Sequence, residues 1–217
     1  MRELFYLGIL IASLIINFTV SAQEEQETPE EAYTRVITGR ADKIVNGMEF
    51  SDSETKIQVR DEIVDFYRSL SAIHDTRDAK VEELKKSDGD NTREINALKN
   101  EANRKVASLR EGFISKLDYL INAGQIDRVK DGLTYNVAPN TYKVYCDMIP
   151  SLTEKQKAQI WEWLVEARDS AMVGGSSEEK HWWFGKYKGK INNFLSKEGY
   201  DLKEEERKWA ERRKSSG

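Results

Sequence analysis

The sequence predicts an all-α protein: a helical bundle with a long antiparallel helical hairpin at about residues 53–122 and a C-terminal helix rich in aromatic residues. Charged residues make up 33% of the 217 residues and there are only 3 prolines, a composition typical of long solvated helices. Apolar residues also recur with spacings of three and four, the period of one helical face, and no β-type alternation of useful length is present.

The chain begins with a pattern typical of an export signal. Arg2 precedes an apolar run over residues 4–20, and small residues at positions 20 and 22 favour cleavage after Ala22. A retained membrane anchor is the alternative, because the run is close to the shortest length that spans a bilayer. We expect a signal peptide over residues 1–22 and a periplasmic or secreted protein with no stable membrane insertion after cleavage.

The mature chain is expected to form one all-α domain. Residues 23–28 (QEEQET) are polar and acidic and are predicted to be a flexible leader, whereas residues 29–212 form the domain and residues 213–217 a disordered tail. Thr28 and Pro29, followed by two glutamates, are typical of a helix start. A first helix should therefore run to about Asn46, before Gly47.

Two apolar stripes separated by a short turn predict the hairpin. The first stripe consists of Val59, Ile63, Phe66, Leu70, Ile73, Val81 and Leu84, and the second of Ile95, Leu98, Ala102, Val106, Leu109, Phe113, Leu117 and Leu120. The Ser-Asp-Gly-Asp segment at 87–90 interrupts the helical pattern between them, which favours two antiparallel helices. The tip should project into solvent, while the parts near Phe66 and Phe113 join the body.

The C-terminal half is expected to hold an irregular loop and three helices. Residues 125–150 are interpreted as a loop followed by a short helix ending at Pro150. Thr153 and Gln156 resemble a capping box and predict a helix up to Gly174. The next helix should cover residues 177–197, and a charged helix containing Trp209 should follow a turn at Gly199.

The segment KHWWFGKYKGK, at residues 180–190, contains the main functional signal. On a helical wheel Trp183, Tyr187, Phe194 and their apolar neighbours form an ordinary core stripe. Trp182 points away from that stripe, toward two glycines at 185 and 189, and a glycine inside a helix costs up to about 1 kcal/mol relative to alanine. Either another helix approaches these glycines closely, or the surface is open and Trp182 forms the wall of a ligand site.

An open surface of this composition would suit a sugar, because the apolar face of a pyranose stacks on an indole and nearby polar groups bind its hydroxyls. The candidate sugar-binding residues are Trp182, Lys186, Lys190, His181 and Asn193. Both lysines could pair with the carboxylate of an acidic sugar. Nucleic acid could use the same residue types, but the formal charge of -4, the pI of about 5.5 and the export signal argue against it.

The segments TYKVYCDMIP, LTEKQK, EARDSAMVGGSSEEK and HWWFGKYKGKINNFLSKEGYDL resemble an uncharacterised family of exported bacterial proteins. The residues that match its motif are 180–183, 185–189 and 192–193. The family is described as sugar-binding and occurs in Gram-negative bacteria that digest plant polysaccharides, often beside pectin-degrading genes. The resemblance implies an exported, sugar-binding protein that acts in the context of plant polysaccharide digestion. Together with the two lysines, it leads us to expect a non-catalytic carbohydrate-binding protein for an acidic, pectin-type glycan.

Two other functional classes stay open. Leu152 to Gln156 is similar to the Leu-Thr-x-x-Gln element of small periplasmic stress chaperones, which suggests a helical chaperone or scaffold protein with the hairpin as an arm. A polysaccharide hydrolase or lyase is the second alternative and could draw its two carboxylates from Glu162, Glu166, Asp169, Glu178 and Glu179.

No catalytic residue, metal ligand or cofactor is assigned from the sequence. The two histidines, His74 and His181, have no cysteine or carboxylate at zinc-ligand spacing, and His74 is expected to be a packed residue of its helix. Cys146 is the single cysteine, so an internal disulfide is impossible. The oligomeric state and the role of Cys146 stay open.

Overall fold

The computed structural model describes residues 27–215, and this part of the chain contains eight α-helices and no strands, which confirms the all-α prediction. The helices are α1 (Pro29–Asn46), α2 (Ser53–Lys86), α3 (Thr92–Leu120), α4 (Ala123–Leu133), α5 (Val137–Met148), α6 (Glu154–Ala171), α7 (Ser177–Lys197) and α8 (Leu202–Ser215). None of them is long and apolar enough to cross a membrane. The predicted signal peptide and residues 23–26 of the predicted leader lie outside the described residues.

The N-terminal helices begin where capping chemistry predicts. Thr28 and Glu31 form a capping box at the start of α1, with Pro29 in the first turn. Asp52 caps α2 by accepting a hydrogen bond from the Thr55 N–H at 2.7 Å. The last leader residue that the structure describes, Glu27, forms an ion pair with Arg35 of α1 at 2.8 Å.

The predicted hairpin is present as α2 and α3, joined by a short turn over residues 87–91. Phe66 and Phe113 stack across the two helices with ring centroids 4.2 Å apart, and both are buried. Helix α1 packs against α2, and α4 covers the base of the hairpin. A first core cluster forms here, with Ile37, Ala41, Val45, Val59, Ile63, Phe66, Leu70, Phe113, Leu117, Ile126, Val129 and Leu133 among its buried members.

The interpretation of residues 125–150 as a loop followed by one short helix is wrong in its first part, because residues 123–133 form α4. Asn122 and Gln125 form a capping box at its start. Gly132 allows α4 to approach α1, since a β-carbon at this position would lie 2.6 Å from Ile44 Cγ1. Tertiary packing against α1 therefore accounts for the glycine at position 132.

Helices α5, α6 and α7 enclose a second core cluster. Its buried members are Ala138, Tyr145, Ile149, Leu152, Ile160, Leu164, Ala167, Ala171, Phe184, Ile191 and Leu195. The predicted capping box of Thr153 and Gln156 is present at the start of α6. Helix α8 packs against α5 and continues to Ser215, so residues 213–215 are helical rather than part of the predicted disordered tail.

Buried polar side chains connect the two clusters. Arg168 of α6 is 2% exposed, and its guanidinium pairs with Asp127 at 2.7 Å and Asp131 at 3.0 Å on α4, and with Asp169 at 3.2 Å. Burial raises the pKa of the Asp131 carboxyl, and the Arg168 guanidinium acts in the opposite direction. This charge cluster therefore fixes α6 against α4.

Two further polar contacts join the same regions. The Lys180 ammonium at the start of α7 is buried and donates to the carbonyl oxygen of Leu133 at 3.0 Å. His74, predicted to be a packed residue of its helix, is buried, and its Nε2 lies 3.0 Å from the carbonyl oxygen of Val173. Directional bonds thus set how α7 and the segment before it meet the first cluster.

Candidate functional site

Helix α7 carries the aromatic segment and begins at a capped N-terminus. Ser176 accepts a hydrogen bond from the Glu179 N–H at 3.1 Å, and two glutamates in the first turn match the positive end of the helix dipole. One side of α7 is buried through Lys180, Phe184, Ile191 and Leu195, and the last three of these belong to the second cluster. Trp183, Tyr187 and Phe194 lie beside this line, half-buried against the same cluster.

Trp182 lies on the other side of the helix and is 58% exposed. A β-carbon built at Gly185 or Gly189 would meet no neighbouring atom within 4 Å among the described residues. The interpretation in which another helix approaches these glycines is therefore wrong within this part of the chain. The glycines instead leave an open strip next to the Trp182 indole.

The open strip continues into a set of aromatic rings and lysines that we call the aromatic face. Its members are Trp163, Trp182, Trp183, Lys186, Tyr187 and Lys190. The two neighbouring indoles meet edge to face with centroids 4.9 Å apart. The Lys186 ammonium lies 5.5 Å from the centroid of the Trp182 ring and 5.0 Å from that of Trp183, within the range of cation–π attraction.

Lys190 has a more constrained environment than Lys186. Its ammonium lies 4.5 Å from the ring centroid of Trp163 on α6 and 5.5 Å from that of Tyr187. The Glu166 carboxylate is 3.7 Å away and already balances part of its charge. Burial, followed by the adjacent Glu166 carboxylate, raises the pKa of Tyr187, so its hydroxyl stays protonated and can donate a hydrogen bond.

His181 and Asn193 are both exposed on α7. Asn193 is eleven residues from Trp182, which places it on nearly the same side of the helix and about 16 Å further along its axis. The next residue, Asn192, has a structural role instead, because it accepts a hydrogen bond from the Tyr145 hydroxyl at 2.7 Å. The structure therefore spreads the candidate residues along a strip that is longer than one sugar ring.

Sequence reasoning missed Trp163, and it considered Glu166 only as a possible catalytic carboxylate rather than as the ion-pair partner of Lys190. Both lie on α6 and reach the site only because α6 packs against α7. Their spacing of three residues puts them on one side of α6, but nothing in the local pattern indicates which helix that side meets.

Residues 34–215, which extend from α1 to the end of α8, match the family described as "Protein of unknown function (DUF3826)". The chain belongs to the DUF3826 family. The match includes the aromatic face, the hairpin and the charge cluster around Arg168, so this DUF3826 protein shows the family region as one continuous all-α unit. A comparison with curated proteins found no match.

Proposed function

We propose that this DUF3826 protein is an exported, non-catalytic carbohydrate-binding protein that serves plant polysaccharide utilisation, and that the aromatic face is its sugar site. The main supporting observation is that Trp182 is more than half exposed beside two glycines that open onto solvent. Moving a large aromatic side chain out of water lowers the free energy of the system. Its exposure on a well-packed helix is therefore consistent with a ligand that covers it.

A pyranose would stack its C–H face on the Trp182 indole. Lys186, His181 and Asn193 would donate hydrogen bonds to its hydroxyl groups, since their side chains are exposed on the same helix. The length of the strip favours an oligosaccharide over a monosaccharide.

An acidic, pectin-type glycan would pair its carboxylates first with Lys186. This ammonium contacts two indole rings and makes no ion pair with any described residue. Lys190 would contribute less, because Glu166 is already near it. Such exposed ion pairs weaken as salt is added.

The geometry favours binding over hydrolysis. Of the five carboxylates considered for catalysis, four have structural partners. Glu162 accepts a hydrogen bond from the Gln159 side chain and Glu166 is near the Lys190 ammonium. Asp169 pairs with the buried Arg168 guanidinium, and Glu179 accepts a hydrogen bond from the backbone N–H of Gly175. Side chains held in this way are less available as a general acid or base.

Calorimetric titration of the purified protein with neutral and uronic-acid plant oligosaccharides tests the proposal. Trp182→Ala should weaken binding of the best oligosaccharide about tenfold or more, since removing a large apolar side chain from water is typically worth ~1.5–3 kcal/mol. It should destabilise the fold by much less than the ~3–5 kcal/mol expected for a buried tryptophan. Trp209→Ala on α8 is the matched control. This half-buried indole also has a cation over its ring, the guanidinium of Arg213, but it lies outside the aromatic face.

Three results would contradict the sugar site. The first is a folded Trp182→Ala variant that binds with wild-type affinity. The second is a Trp182→Ala variant that is less stable than Trp183→Ala, because Trp182 would then be a packing residue. The third is loss of binding in a folded Trp209→Ala control, because the site would then lie outside the aromatic face.

Export is tested separately. Mass spectrometry of the protein isolated from its native cells should show Gln23, or its cyclised form, at the N-terminus. Intact Met1 in a membrane fraction would contradict cleavage after Ala22.

A further inference from the structure

A second surface feature, distinct from the aromatic face, is a cavity of about 590 Å³ between α1, α2, α4 and the turn before α5. Pockets for small molecules typically occupy 300–1,000 Å³, so this volume suits a ligand of one or two sugar rings. Gly132, which lines the cavity, permits the close approach of α4 to α1 that shapes it.

Three cationic side chains line this cavity: Arg40, Lys43 and Arg128. No aspartate or glutamate is among its lining residues within the described chain. Lys43 lies in the last turn of α1 and Arg128 reaches the Gly47 carbonyl at 3.4 Å, so helix-end stabilisation explains part of their placement. Arg40 has no such role, and neither it nor Lys43 forms an ion pair with a described residue.

Two tyrosine rings form the aromatic part of the lining. The ammonium of the buried Lys180 lies 5.9 Å from the ring centroid of Tyr67 and 5.8 Å from that of Tyr135. Burial, followed by the charge of Arg40, lowers the pKa of Lys180 to about 8. Burial is the main cause of this lowered pKa, and the Arg40 charge adds repulsion that an anion bound beside Arg40 would offset.

The backbone beside the cavity is in a conformation that side-chain-bearing residues rarely adopt. Tyr135 and Asn136 are consecutive and have φ angles of 57° and 56°. This left-handed pair places both residues at the cavity, where Tyr135 stays 48% exposed. Unfavourable backbone conformations of this kind occur preferentially at ligand sites.

We propose that this cavity is a binding site for a small anionic ligand of about sugar size that carries a carboxylate or a phosphate. Arg40, Lys43 and Arg128 contact the anionic group, and the rings of Tyr67 and Tyr135 flank the uncharged part of the ligand. The site goes beyond the carbohydrate function proposed above, because it shares no residue with the aromatic face and holds whether or not that face binds sugar.

Three probes with the same ring distinguish the two anion chemistries: glucose, glucuronate and glucose 6-phosphate. Each is titrated into the purified ¹⁵N-labelled protein while backbone amide and tryptophan indole signals are recorded. Glucuronate, glucose 6-phosphate or both should shift the amides of residues 40–48 and 128–136, and glucose should not. The stronger of the two anions indicates whether the natural ligand carries a carboxylate or a phosphate.

The double variant Arg40→Gln/Arg128→Gln should raise the dissociation constant of the bound anion at least about tenfold, because it removes two charge-assisted hydrogen-bond donors. Both residues are exposed, so the fold should persist, and Lys43→Gln gives a second test if the double variant does not fold. Arg104→Gln on the exposed side of α3 is the matched control and should bind like the wild type.

The proposal is overturned if neither anion shifts the cavity amides, if glucose shifts them equally, or if removing the cavity cations leaves the affinity unchanged. Shifts confined to the indole signals would also overturn it and would support the aromatic face as an acidic-sugar site instead. Trp182→Ala should bind the probes with wild-type affinity at the cavity. Failure of this proposal is therefore distinguishable from failure of the carbohydrate site.

Discussion

Replacing Arg168 with methionine should destabilise the protein more than any exposed charge substitution. The guanidinium is 2% exposed and pairs with three aspartates, two of them on another helix. Methionine keeps much of the side-chain length but removes the charge and every donor. The variant therefore leaves the aspartates without their shared cation.

The expected loss follows from how well each aspartate can be solvated by water. Asp127 and Asp169 have side chains 57% and 37% exposed, so both can recover hydration when Arg168 is removed. Asp131 is only 15% exposed and would stay buried and unpaired. Removing one partner of a buried ion pair typically costs 3–5 kcal/mol. Because only one of the three aspartates would stay buried and unpaired, we expect Arg168→Met to lower the free energy of unfolding by about 3 kcal/mol, near the low end of that range.

Urea unfolding monitored by circular dichroism measures this loss as a change in midpoint at constant slope. A double variant, Arg168→Met with Asp131→Leu, should recover much of the stability, because it removes the unpaired carboxylate together with its partner. The deficit of the single variant should also depend on pH. Burial raises the pKa of Asp131 in the folded protein, and loss of Arg168 raises it further. Folding then favours protonated Asp131, so the deficit shrinks as the pH falls through this raised pKa toward the ordinary value of 3.8.

A loss of stability below about 1 kcal/mol would contradict this reasoning, because an exposed ion pair contributes that little. Strictly additive effects in the double variant would show that Arg168 and Asp131 are not coupled in solution. A stability deficit that grows as the pH falls would show that the pKa of Asp131 is not raised in the folded variant.

Three further outcomes are expected. Phe113→Ala should cost roughly 3–5 kcal/mol in urea unfolding, because the ring is buried and stacks on Phe66. Replacing residues 87–90 with a longer Gly/Ser loop should change the melting temperature little, since these residues are exposed and loop entropy grows slowly with length. Burial lowers the pKa of Lys180 from 10.5 to about 8. Between these two values the unfolded chain keeps the Lys180 proton and the folded protein does not, so the stability of the wild type relative to Lys180→Met should rise with pH. The expected gain between pH 8 and 10.5 is about 3 kcal/mol, at 1.36 kcal/mol per pKa unit. A flat difference across that range would show that Lys180 is solvated.

Helix starts were predictable because the required chemistry is local. Thr28, Asp52 and Thr153 each precede an apolar pattern and each cap a helix in the structure. Helix α4 was missed because Gly124 and Gly132 weaken its local pattern. The reason for Gly132 is its contact with α1, about ninety positions earlier in the sequence, and no local rule contains that information.

The candidate site was also predictable only in part. The exposure of Trp182 follows from the helical wheel of α7, because residues two positions from a buried one point away from the core. The position of Glu166 beside Lys190 does not follow, since it depends on which side of α6 meets α7. Arg168 and Lys180 were also beyond local reasoning: charged helical residues are normally solvated, and their buried partners lie more than thirty positions away.

The buried charges have a consequence for the aromatic face. Apolar contacts between α6, α7 and the second cluster are non-directional, so alone they would allow the helices to slide or rotate. The Arg168 bonds and the Lys180 bond to the Leu133 carbonyl are directional and each reaches the first cluster. We infer that they fix the rotation of α7. Lys180 points inward, and Trp182, about 200° around the helix, then necessarily points outward. The open strip beside Trp182 is thus set by polar bonds on the opposite side of the same helix.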